Sequence, residues 1–186
     1  MRETVDGEFD GRERLGKIAH DFLASTAKES ANFAIVGYKL QNTLSETGSV
    51  KRGICKAQNG YIKKIVECKV ERTNNEIFAT ELETGKTFAC SPDELVSMNM
   101  ICFTPKVFQY LDDQFQDFCQ NASNLQSGEF LIPTALQQME TAGQVTIKQL
   151  STAEKWIGMT YKEDKQFVVD ELEKLVRSNK YPAYLK

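Results

Sequence analysis

Cys55, Cys68, Cys90, Cys102 and Cys119 are the strongest nucleophiles and softest metal ligands that the chain could offer, and His20 is its single imidazole. The cysteines are odd in number and widely separated, and they show no metal-ligand spacing. A reactive thiol needs an electropositive, partly exposed setting; Cys68, between Glu67 and Lys69, and Cys55, beside Lys56, come nearest to one. Apolar runs such as Met100-Ile101-Cys102-Phe103 favour reduced structural thiols instead. His20 falls on the helical run Leu15, Ile18, Phe22, which reads as a helix-surface histidine and not as part of a Ser-His or Cys-His hydrolase. Asn99 is set apart inside Met98-Asn99-Met100, where a buried amide would need hydrogen-bond partners.

The elements that must position these groups follow from hydrophobic spacing. Leu15, Ile18, Phe22 and Leu23 predict a helix over residues 11–25, and Asn32-Phe33-Ala34-Ile35-Val36-Gly37-Tyr38 predicts a buried strand. Val50 to Lys56 and Tyr61 to Val70 flank Asn59-Gly60, a dipeptide that accepts positive φ at both turn positions and so predicts a tight hairpin. Residues 72–91 read as an excursion with Glu83-Thr84-Gly85-Lys86 at a second hairpin tip. Leu95 to Phe103 is a strand-length apolar run ending at Thr104-Pro105, where threonine can cap a helix and proline can occupy its first turn. Val107, Phe108, Leu111, Phe115 and Phe118 make the apolar stripe of that helix. A further helix from Pro133 to Ala142, closed by Gly143, leads into the alternating strand Val145 to Leu150. The last helix starts near Lys162 and turns Phe167, Val168, Leu172, Leu175 and Val176 toward the core. Strands alternating with helices, plus hairpins, predict one α/β domain over residues 1–186 with a mixed sheet and flanking helices.

Composition bounds the partners. The 186 residues are 41% hydrophobic and 26% charged, which suits one globular domain. A net charge of -3, from 23 basic and 26 acidic residues in mixed order, gives no polybasic stripe for nucleic acid or an anionic membrane. No apolar run approaches the roughly 20 residues of a membrane span, and Met-Arg-Glu-Thr-Val-Asp lacks a signal peptide's apolar core, so a cytoplasmic protein is expected.

Five segments in order carry a family likeness: Phe33 to Ser45, Arg52-Gly53-Ile54, Ile65-Val66-Glu67, Val96 to Met100 and Lys155 to Lys165, with Gly128-Glu129-Phe130-Leu131-Ile132-Pro133 between the last two. From Phe9 to Leu185 the chain resembles the distal, C-terminal half of the sugar nucleotidyltransferases, nearest to a bacterial glucose-1-phosphate nucleotidyltransferase-like branch. The resemblance implies the C-terminal half of a Rossmann-like nucleotide-diphospho-sugar transferase domain. It also implies a magnesium-assisted attack of a sugar 1-phosphate oxygen on the α-phosphorus of a nucleoside triphosphate, with release of pyrophosphate.

The same resemblance implies site residues. Gly53 would let the sugar approach the backbone, and Glu67 would hold sugar hydroxyls. The family's lysine directly follows that glutamate; here Cys68 takes the place and Lys69 comes one residue later, on the opposite face of a regular strand, so phosphate contact and solvation are both open to it. Asn99 could bond a sugar hydroxyl. Glu129 matches the family's Gly-Glu segment, with a capping or solvated role as its alternative, and Lys155 could meet a phosphate or stay on the surface. Of the metal aspartates, the first falls near Asp6, beside Glu8, and the second near Gly158, with Asp164 the nearest carboxylate. Asp164 also suits a first helical turn, where negative charge is favourable.

The family's glycine-rich triphosphate loop has no counterpart, so the expectation is a sugar-phosphate half that works with a separately encoded nucleotide-binding half. Two alternatives stand beside it: a non-catalytic remnant that binds sugar phosphate, and a protein-interaction module. Half a sheet would leave open strand edges, which predicts self-association.

Overall fold

Asn59 and Gly60 take φ values of 53° and 79°, and the turn they form joins β2 (Val50–Gln58) to β3 (Tyr61–Thr73) as an antiparallel hairpin. The computed structural model describes residues 11–45, 48–121, 126–158, 162 and 164–178. Before that hairpin come α1 (Gly11–Ala24), β1 (Asn32–Lys39) and a 3₁₀ turn over Leu40–Thr43. After it come β4 (Glu76–Glu81), β5 (Thr87–Cys90), β6 (Leu95–Cys102), α2 (Val107–Gln120), α3 (Ile132–Thr141), β7 (Thr146–Thr152) and α4 (Asp164–Arg177). The excursion predicted over residues 72–91 is the arm made by the end of β3 with β4 and β5. A second positive-φ pair, Asn74 at 50° and Asn75 at 66°, turns β3 into β4.

Along the sheet the strands run β2-β6-β1-β7-β3-β4-β5. β1 and β7 are parallel, and the other pairs are antiparallel. The expected mixed sheet with flanking helices is present. Its closure was not expected: β3 pairs with β2 along its length and meets β7 at Tyr61 and Lys148, so β2, β6, β1, β7 and β3 complete a five-stranded barrel. Of the two strands that end the linear order, β2 is therefore paired on both sides, and β5 forms the open edge.

Closure relies on a helix as well as on strands. Between the β7 contact at Tyr61 and the β4 contact beginning at Cys68, the edge of β3 is met by Gln137 of α3. Its Oε1 accepts from the Ile65 amide at 3.0 Å and its Nε2 donates to the Lys63 carbonyl at 3.0 Å, so one side chain replaces a missing strand. Lys63 and Glu140 add an ion pair at 2.7 Å.

β1 is buried on both faces. Phe33 and Ile35 join Cys55, Ile62, Ile147 and the α3 residues Ala135, Leu136 and Met139. Ala34 and Val36 face the other way, against Phe22, Leu15 and Ile18 of α1. Burying Phe33 alone contributes about 2–3 kcal/mol.

Three local expectations change. Thr104 does not cap α2; its Oγ1 donates to the Ser30 carbonyl at 2.6 Å, tying the helix entrance to the start of β1. Within the α2 stripe Val107 is buried, but Phe108 is 73% exposed and Phe115 packs with Phe118 and Phe130. None of the described α4 side chains is fully buried, and Leu172 is 44% exposed, so the last helix lies on the core instead of completing it. Among the described residues no helix is long and apolar enough to cross a membrane.

Candidate functional site

Gly53 stands where three strands meet, opposite Glu67 on β3 and Ser97 on β6. A Cβ at this position would lie 2.8 Å from Ile65 Cγ2 and 2.9 Å from Glu67 Oε1, closer than real side chains approach, so only glycine leaves both neighbours in place. Beside it opens a cleft of about 290 Å³, lined by Lys51, Gly53, Glu67, Ser97, Asn99 and Trp156 among others. That volume lies at the lower edge of the roughly 300–1,000 Å³ of small-molecule sites, which suits one sugar-sized ring and not a dinucleotide.

Asn99 reaches this cleft through an irregularity in β6. Between the pairs Ile35–Ile101 and Gly37–Ser97, β1 spends one residue, Val36, while β6 spends three, Met98, Asn99 and Met100. The bulge places Asn99 at φ 60° and leaves it exposed at the cleft, in place of the buried position its apolar neighbours suggested. Its amide NH donates to Ser97 Oγ at 3.3 Å, which leaves the side chain to face the cleft. Asparagine tolerates the left-handed region better than a β-branched residue would.

The cleft wall formed by Trp156 depends on the 3₁₀ turn. Asn42 Nδ2 donates to the carbonyls of Ala153 at 2.8 Å and Glu154 at 3.3 Å, and the Trp156 amide donates to the Asn42 carbonyl at 3.0 Å. Arg52 Nε donates to the Thr43 carbonyl at 3.1 Å, Nη2 donates to the same oxygen, and Nη1 donates to the Lys51 carbonyl at 2.8 Å. Held this way, the guanidinium lies 5.2 Å from the centroid of the Trp156 ring. A Cβ at Gly158 would run into Cζ2 and Cη2 of that ring, so the Trp-x-Gly spacing is a packing requirement.

Electrostatically the cleft is mixed with a cationic excess. Glu67 carboxylate and Lys51 ammonium have no ion-pair partner among the described residues. Arg52 adds a second cation; burial pulls its pKa down, but a guanidinium stays charged. Two cations against one carboxylate favour an anionic ligand, and Glu67, Ser97 and Asn99 offer acceptors and donors for hydroxyls. Cys55 lies in the same strand with Sγ 3.8 Å from the Gly53 carbonyl. Burial first, then the Glu67 and Glu94 charges, push its thiol up to about 12 against a backbone hydrogen bond at Ser97 that lowers it. Burial likewise pushes Cys68 up to about 11. Both are neutral thiols without nucleophilic character, as the apolar surroundings of the cysteines predicted.

Gly53, Glu67 and Asn99 thus come together from β2, β3 and β6. Lys69, Glu129 and Lys155 do not join them. Lys69 shares the Glu67 face but lies outside the cleft lining, paired with Glu71 at 3.4 Å. Glu129 borders a separate cavity of about 470 Å³ between α2 and α3, with Asp117, Phe118 and Phe130. Lys155 is drawn to α4, 3.2 Å from Glu171 and 4.9 Å from the Phe167 ring centroid. Asp164 occupies the first turn of α4, and Asp6 lies outside the described residues. Among the described residues no three acidic, histidine or cysteine side chains are placed to share a metal ion.

Sequence reading passed over Lys51, Ser97, Arg52, Asn42 and the ring of Trp156. Ser97, Arg52, Asn42 and Trp156 stand inside the family-like segments and Lys51 stands beside one, but the role of Asn42 is hidden because its partners are more than a hundred residues away. No protein-family model matches the chain, and no curated protein matches it.

Proposed function

We propose that the Gly53 cleft binds a sugar 1-phosphate, and that the chain is the acceptor-binding half of a sugar nucleotidyltransferase. The observation that carries this reading is the convergence of Gly53, Glu67 and Asn99, three residues singled out by family likeness, in one cleft of sugar size. Glu67 and Asn99 bond the hydroxyls, the flat backbone at Gly53 lets the ring sit low, and Lys51 with Arg52 balances the phosphate. In the reaction the sugar phosphate oxygen forms a new P–O bond to the α-phosphorus of a nucleoside triphosphate. The α–β bridging P–O bond breaks and pyrophosphate leaves. The contribution of the residues described is to hold and orient the acceptor, which removes the entropy cost of bringing it to the nucleotide.

On this reading the mixed sheet is the distal part of a Rossmann-like nucleotide-diphospho-sugar transferase domain, and the triphosphate is bound with a complementary half. Magnesium would enter with that half. Its place is the cytoplasm, which suits five free cysteines.

Isothermal titration with glucose 1-phosphate, alone and then with magnesium and uridine or thymidine triphosphate, tests the proposal. One sugar phosphate per chain, weakened at least tenfold by Glu67→Ala, is the expected result. Absence of binding, or an affinity unchanged by Glu67→Ala, overturns it.

A further inference from the structure

The 3₁₀ turn grips both members of the Arg52–Trp156 pair with two consecutive residues. Asn42 holds the Trp156 side through three hydrogen bonds: Nδ2 to the Ala153 and Glu154 carbonyls at 2.8 and 3.3 Å, and its own carbonyl to the Trp156 amide at 3.0 Å. Thr43 holds the Arg52 side, its carbonyl accepting from both Nε and Nη2. The turn is itself anchored: Thr43 is 1% exposed and its Oγ1 donates to the Leu40 carbonyl at 3.0 Å, while the Leu40 and Gln41 amides donate to the Glu94 and Pro92 carbonyls ahead of β6. A single bracket therefore reaches the segment after β7, the strand β2 and the entry to β6, and the cleft takes Trp156 from the first, Lys51 to Gly53 from the second and Ser97 to Asn99 from further along β6.

We propose that Asn42 is a positioning residue: through its side-chain amide it fixes residues 153–156 against the bracket and so sets the Trp156 ring at the edge of the cleft. Asn42 does not line the cleft, so it acts through Trp156 and not by touching a ligand. Removing the amide takes away two of the three hydrogen bonds that join Asn42 to this segment and leaves the one from the Trp156 amide. The effect on a bound sugar phosphate rests on the function proposed above; the placement of Trp156 does not.

Trp156 is the single tryptophan of the chain, so its fluorescence reports this contact directly. The test compares wild type with Asn42→Ala and with Asn42→Asp, which keeps the shape and loses the donor. Both are checked for native circular dichroism, then measured for emission maximum and iodide quenching without ligand, then titrated with glucose 1-phosphate. The expected result is a red shift and about twofold stronger quenching of the folded variants, with sugar phosphate bound about tenfold more weakly. If either variant folds and its Trp156 emission and quenching equal those of wild type, the positioning role is overturned. If the emission shifts in the variants but wild type binds no sugar phosphate, the positioning role stands and the sugar-phosphate reading falls. If wild type binds and the variants match it in both readouts, the reverse holds.

Discussion

Gly53 and Glu67 face each other across β2 and β3 so closely that the glycine hydrogen occupies the space beneath the carboxylate, with a would-be Cβ only 2.9 Å from Oε1. Gly53→Ala should displace Glu67 and the Ile65 methyl together, because the strand backbone on both sides is fixed by pairing. Glucose 1-phosphate affinity should fall at least tenfold, while stability changes by no more than about 1 kcal/mol, as alanine suits a strand better than glycine. Titration calorimetry paired with thermal melting separates the two effects.

Three residues with family likeness but outside the cleft supply the contrast. Lys69→Ala, Glu129→Gln and Lys155→Ala should each leave sugar phosphate affinity within about twofold of wild type, since none of the three lines the cleft and exposed pairs such as Lys69–Glu71 are worth about 0–1 kcal/mol. A tenfold loss in any of them would move the boundary of the site.

Lys51 should behave differently from Glu67. Lys51→Ala removes a charge facing the phosphate, so it should weaken glucose 1-phosphate but leave free glucose unaffected, and the difference should shrink as salt is raised. Titrations at low and high ionic strength check this.

The thiol of Cys55 makes stability pH-dependent on the alkaline side. Its pKa is raised from 9.0 to about 12 in the folded chain by burial, so between those values the folded chain keeps a proton that the unfolded chain loses. Stability from this group is complete below pH 9 and declines as pH rises through the window, by about 1.4 kcal/mol per pH unit for one thiol. Denaturant melts from pH 8 to 11 should show the decline, and Cys55→Ala should lessen it, leaving the part that Cys68, pushed up to about 11, contributes. In the native state at pH 8, iodoacetamide should reach the partly exposed Cys119 well before Cys55 or Cys68.

Much of this was legible where the physics is local. Asn59-Gly60 carries its own turn geometry, Gly143 with φ 69° ends α3, strand-length apolar runs located β1 and β6, and alternation located β7. Gly53, Glu67 and Asn99, singled out by family likeness, line one cleft, but the bulge that exposes Asn99 follows from the β1–β6 register, which no single strand encodes. Hidden features depend on distant partners. Thr104 has the right type for a cap, yet the Ser30 carbonyl competes for its hydroxyl from across the fold. Lys155 follows the charge on Glu171, sixteen residues on, and Gln137 substitutes for a strand from a helix. Barrel closure belongs to the same class, because the Tyr61–Lys148 meeting is invisible to periodicity.

The parallel pairing of β1 with β7 carries a kinetic consequence. Asn32 and Thr146, joined by a 2.8 Å side-chain hydrogen bond, are 114 residues apart, and Asn42 meets Ala153 across 111. During synthesis the β2–β3–β4 arm, whose contacts are local, can assemble early. The ring cannot close and the cleft cannot take its shape until the residues around Trp156 have emerged. High contact order of this kind slows folding, so an unfinished chain presents an unclosed sheet for the whole time between those two events.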